Sequence, residues 1–150
     1  MPSIDFDSFL RALATHMAAT ASLQYASTPR ALWVYQLVEA DSTLAAVTPA
    51  PASVLRIFGG TVPLIPVATL SIQCQTTALP GDDQSGMTRA QALHGTLLDS
   101  TSGRPLRMKA LTGWRINAIQ SLQTPAQIGR DEKERALIVF DFDAEIVATA

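Results

Sequence analysis

Cysteine is nearly absent: Cys74 is the one cysteine in 150 residues, which excludes an internal disulfide and any cysteine-based zinc cluster. Aromatic residues make up 6% of the chain, too few to infer an aromatic-lined pocket for a small ligand. Charged residues are 16% against 47% hydrophobic, a lean charge content that predicts apolar surface covered by another copy or another protein. Lysine and arginine number 11 and aspartate and glutamate 13, so no basic excess points to a nucleic-acid partner. No apolar run approaches the roughly 20 residues that cross a bilayer. The opening Met1-Pro2-Ser3-Ile4-Asp5-Phe6-Asp7 is acidic where a secretory leader is basic and then apolar, so a cytoplasm, or an assembly built there, is the expected location.

Reactive machinery is scarce as well. No Gly-x-Ser-x-Gly elbow occurs, and His16 and His94 fall on helical stretches, where His16 is expected to be solvated and His94 structural. Gly59-Gly60 lacks the further glycines and following helix of a phosphate cradle, because Pro63 and Pro66 deny that helix. Asp82-Asp83 lacks the alternating ligands and distant glutamate of a calcium loop. No cofactor, metal or enzyme activity is implied.

What is present is secondary-structure pattern. Phe6, Phe9, Leu10, Leu13 and Met17 recur at helical spacing, with Ser3 or Asp5 to cap the first amides. Leu32 to Val38 concentrates branched and aromatic residues in the way strands prefer, with a helix as the alternative. Thr48-Pro49-Ala50-Pro51 marks a turn, Ser53 to Phe58 a short strand stopped by Gly59-Gly60, and Pro80 to Gly86 a flexible loop. From Val67 to Thr77 the residues alternate: Ala68, Leu70, Ile72 and Cys74 share a buried face. Cys74 is therefore read as a small hydrophobe. Thr88 and Gln91 have the spacing of a capping box for a second helix, with Ala90, Leu93, Leu97 and Leu98 buried, and with Ala90 and Gly95 small enough for close packing. Arg104 to Leu111 reads as an irregular edge because of Pro105. Trp114, Ile116, Ala118 and Leu122 alternate in a strand closed by Thr124-Pro125. A long, mobile connection then leads to the last strand, antiparallel to this one. The sum predicts one α+β domain over residues 1–150, a mainly antiparallel sheet with two helices packed on one face.

The closing stretch carries the most information. Ile138, Phe140, Phe142, Ala144 and Ile146 share one strand face, and Asp141, Asp143 and Glu145 the other. Neighbouring carboxylates on that face stand about 7 Å apart, a spacing that suits a solvated or interfacial stripe, with a metal-assisted hydrolase as the alternative. The preceding Gly129-Arg130-Asp131-Glu132-Lys133-Glu134-Arg135 interleaves both signs of charge. It reads either as a patch that pairs with a second copy or as a solvated hairpin tip.

In order along the chain, these features resemble a family of phage tail terminators, also called minor tail or tail-completion proteins. The resemblance lies in the N-terminal helix, the strand ending in Gly59-Gly60, the strand with Ile72-Gln73-Cys74-Gln75, and the helix with Ala90, Ala92 and Leu93. It is completed by Gly129-Arg130-Asp131-Glu132 and Phe140-Asp141-Phe142. It implies a non-enzymatic virion subunit, assembled in the host cytoplasm into a hexameric ring at the head-proximal end of the tail. Such a ring stops tail-tube polymerisation and meets the tail tube protein on one side and the head connector on the other. A neighbouring neck or stopper protein of the head–tail junction is the closest alternative. The resemblance implies no nucleic-acid recognition and no membrane.

Overall fold

A computed structural model of the protein describes residues 6–23, 32–34, 52–64, 67–132 and 134–149. The expected caps Ser3 and Asp5, residues 35–38 of the expected strand and the turn at 48–51 lie outside the described residues. Helix α1, Phe6–Ala21, buries Phe9, Leu10, Leu13, Ala14, Met17 and Ala18. Three- and four-residue spacing puts these on one side of the helix, so a single stripe meets the core. Asp7 and Arg11, one turn apart, pair at 2.8 Å on the wet side.

The sheet contains β1 (Leu32–Val34), β2 (Ala52–Leu64), β3 (Val67–Thr77), β4 (Arg107–Leu111), β5 (Trp114–Arg130) and β6 (Ala136–Ala148). Its spatial order is β1-β2-β3-β6-β5-β4. Only the short β1 is parallel to its neighbour. Helix α2, Asp83–Gly95, joins α1 on one face, giving the expected α+β arrangement. The register of β3 on β6 sets Ile72 beside Phe142 and Cys74 beside Phe140, so the apolar halves of both strands form one continuous surface under the helices. Phe9 meets the edge of Trp114 at 5.7 Å, and the indole Nε1 donates to Ser8 Oγ at 3.0 Å.

Four expectations need correction. Strand β2 does not stop at Gly59-Gly60 but runs to Leu64. A bulge between Ile57 and Gly59 absorbs the bend, and Gly60 sits at φ 150°, where a Cβ would lie 2.5 Å from the Thr69 carbonyl oxygen. Helix α2 begins well before Thr88: Asp82 caps it by accepting from the Ser85 N–H at 3.1 Å. Gly86 then lies in the helix, and it rather than Gly95 makes the close approach, since a Cβ there would stand 2.5 Å from Ala78 Cβ. Of the expected buried side, Ala90, Leu93 and Leu97 are buried and Leu98 is half-buried.

The third correction is in β5, which passes through Thr124-Pro125 to Arg130. The proline falls in a register irregularity between Gln123 and Ala126, where its missing N–H costs little. The link to β6 is therefore a tight turn. Its Asp131 N–H donates to the Arg135 carbonyl at 3.0 Å, and the Glu134 N–H donates to the Asp131 carbonyl at 3.1 Å. Fourth, a bulge at Asn117 shifts the alternation, so Ile119 and not Ala118 enters the core. The side chains of Ser121 and Leu122 lie outside the described ones. The irregular edge expected before Leu111 is β4, with Met108 at φ 53° and four exposed residues, Arg107 to Ala110.

Candidate functional site

The alternation that buries Ile72 and Phe142 turns their neighbours to the face that carries neither helix. There β3 presents Thr69, Ser71, Gln73, Gln75 and Thr77, and β6 presents Asp141, Asp143 and Glu145. Arg56, between the core residues Leu55 and Ile57, joins them from β2. Strand register sorts these side chains into rows. One row runs Arg56, Gln73, Asp141, Gln123 across four strands, and the next contains Gly59, Ser71, Asp143 and Gln120. Ser71 Oγ donates to Asp143 Oδ1 at 2.7 Å. Asp141 and Asp143 are half-buried and Glu145 is exposed, so the expected acidic stripe is present but graded.

Among the described residues, three buried side-chain atoms have no hydrogen-bond partner: Arg56 Nε, Thr77 Oγ1 and Asp141 Oδ1. All three belong to this face. An unpaired buried polar group costs about 1–3 kcal/mol, and folded proteins rarely leave one without a reason. Val54 and Val139, in the adjoining row, are buried as well, so this part of the face is closed off from solvent within the chain itself. Asp141 was legible from the strand pattern. Arg56 and Thr77 were missed, although the position of Arg56 between two apolar neighbours is a usable signal.

The ion-rich turn is braced from within. Arg130 forks onto Asp83 at the start of α2, with Nη1 to Oδ1 at 3.0 Å and Nη2 to Oδ2 at 2.6 Å, and Nη1 also lies 3.4 Å from the Glu134 carbonyl. The Asp83 carboxylate raises the pKa of Arg130 further. Arg135 holds Asp131 at 2.6 Å through Nε and at 2.9 Å through its backbone N–H. Both arginines of the turn thus have partners in their own chain, which leaves fewer cations for pairing with a second copy. Glu132, Glu134 and Gly129 are exposed, and Lys133 lies outside the described residues.

No protein-family model matches the chain, and neither does any characterised protein. The remaining reactive groups must therefore be judged on geometry. His16 is not fully solvated as expected: it lies between the helices with Nε2 3.4 Å from the Thr96 carbonyl, and burial lowers its pKa. His94 meets Phe140 edge-on at 5.2 Å, and burial lowers its pKa too. Burial pushes the Cys74 thiol up to about 12, which keeps it protonated and unreactive at neutral pH. A groove of about 690 Å³ between α1 and β4 is lined by Arg11, Thr15, His16 and Lys109, but Arg11 is already held by Asp7. Among the described residues no group of three His, Cys, Asp or Glu side chains is placed to hold a metal ion. No described helix is long and apolar enough to cross a membrane.

Proposed function

We propose that the protein is a structural subunit of a phage tail. In this reading, copies assemble into a ring at the head-proximal end of the tail tube, end tube growth and join the tail to the head connector. The observation that carries it is the sheet face opposite α1 and α2, which holds every unpartnered buried polar atom among the described residues. Half-desolvated polar groups on a broad strand surface suit contact with another protein better than turnover of a substrate. A hydrolase would need Asp141, Asp143 and Glu145 to converge on one ion, whereas they are strung along one strand and Asp143 is engaged by Ser71.

The test is assembly with tube protein. Purified subunit is added to polymerising tail tube protein, and tube lengths and ends are scored by electron microscopy, with light scattering on the subunit alone. Ring-shaped density at one tube end and shortened tubes are expected. Tubes of unchanged length with bare ends would overturn the assignment.

A further inference from the structure

We infer that the free edge of β4 takes up an extended acidic segment of another protein as an added strand, with the groove between β4 and α1 receiving its side chains. Charge in this part of the chain is one-sided. No Asp or Glu occurs between Asp99 and Asp131, while Arg104, Arg107, Lys109 and Arg115 crowd into one short stretch of a chain whose net charge is -2. Arg107 and Lys109 are exposed, and neither side chain makes a hydrogen bond or salt bridge with a described residue. Asp99 lies within electrostatic reach of Lys109, but its carboxylate is occupied by the Thr101 and Ser102 N–H groups at 2.7 and 3.1 Å.

Strand β4 ends the sheet, and among the described residues it pairs with β5 alone. The two are joined by Thr112-Gly113, with Gly113 at φ 77°, so Leu111 and Trp114 flank a two-residue hairpin turn and form its first hydrogen-bonded pair. Bonded and open pairs then alternate, which turns the N–H and C=O of Ala110 away from β5. Side chains alternate too. Leu111 and Lys109 fall on the side of Trp114, where α1 packs. Between them and Arg11, Ala12 and His16 of α1 runs the groove of about 690 Å³, and no carboxylate is among the side chains that line it.

An edge strand beside such a groove suits strand addition: main-chain bonds hold the extended segment, and its alternate side chains enter the groove. Charge complementarity names the occupant. A side chain opposite Leu111 meets Ala12 and is best apolar, whereas one two positions away meets Lys109 and His16 and is best a carboxylate. Met108, 62% exposed at φ 53°, adds apolar area for the partner to cover. Binding here is independent of the phage-tail reading: a bound peptide without tube capping leaves the one standing, and capping without a bound peptide leaves the other.

The probe is the end-capped peptide Glu-Val-Thr-Glu-Thr-Val-Glu, which reads the same in both directions and so fits either strand polarity. Titrated into isotope-labelled protein and followed by NMR, it should shift the β4 amides and slow hydrogen exchange at the Ala110 N–H by at least about 10-fold. The same peptide with lysine for each glutamate should bind at least about 10-fold more weakly, and Lys109→Glu should reverse that preference. Ala110→Pro removes the outward N–H and no ladder bond, and should abolish binding. Circular dichroism checks that it folds. If it does not, two peptides N-methylated on alternate residues carry the test: an added strand bonds through one of its edges, so one peptide should lose binding and the other keep it. Unmoved β4 amides, equal binding of the acidic and basic peptides, a folded Ala110→Pro that binds as the wild type does, equal effects of the two methylation patterns, or a thymidine dodecamer that binds β4 more tightly than the acidic peptide would overturn the inference.

Discussion

At the scale of single residues, the same strand holds an inert group and an unsatisfied one. Cys74 lies fully buried beside Phe140, with its thiol pushed up to about 12. Thiol reagents at pH 8 should therefore leave the native protein unlabelled and modify it only once denaturant opens the core. Rapid stoichiometric labelling without denaturant would contradict that placement. Cys74 could be read from alternation because its surroundings are set by its own strand. The face of Arg56 could be read from its apolar neighbours, but its row could not, because that depends on pairing with β3 across the bulge at Phe58, a feature that the local sequence does not announce. His16 escaped for a similar reason: its partner Thr96 is 80 residues further along the chain.

At the scale of elements, the strands with uninterrupted alternation, β3 and β6, were legible almost to the residue. Those with glycine or proline inside them were not. Breaker residues end a strand only when no neighbour continues past them; Pro125 and Gly60 lie beside β6 and β3, which run on, and bulges accommodate both. The second helix offers a sharp comparison between two glycines. A Cβ at Gly86 would press on Ala78 Cβ at 2.5 Å and Ile138 Cδ1 at 2.8 Å, whereas one at Gly95 would meet nothing within 4 Å. Gly95→Ala should stabilise the protein by about 0.5–1 kcal/mol through helix propensity. Gly86→Ala should give a net loss, because overpacking of about 1–3 kcal/mol exceeds that gain. Urea midpoints of the two variants decide the matter, and equal stabilisation by both would refute the helix placement.

For the molecule as a whole, the two helices bring both described histidines to partly buried positions. Burial lowers the pKa of His16 and His94 below the ordinary imidazole value of about 6.5. The unfolded chain, with imidazoles near that value, binds more protons than the folded one once the pH drops below it. Stability from these groups is fully present above about pH 6.5 and is lost as the pH falls toward and through the folded values. Urea midpoints should therefore decline from pH 7.5 to pH 5.5, and a His16→Gln, His94→Gln variant should show a flatter profile. A wild-type midpoint that does not change over that interval, or an equally steep decline in the variant, would count against the burial of these rings.

The central seam also bears on how the chain comes off the ribosome. Hairpins β2–β3 and β5–β6 each join nearby residues, but β3 meets β6 through distant contacts such as Ser71 to Asp143, 72 positions apart. Long-range pairing of this kind is slow to form, and here it must wait for translation of the last strand. Until then the apolar side of β3 lacks the neighbour that completes its layer, so a stalled nascent chain presents a sticky half-core that chaperones must shield.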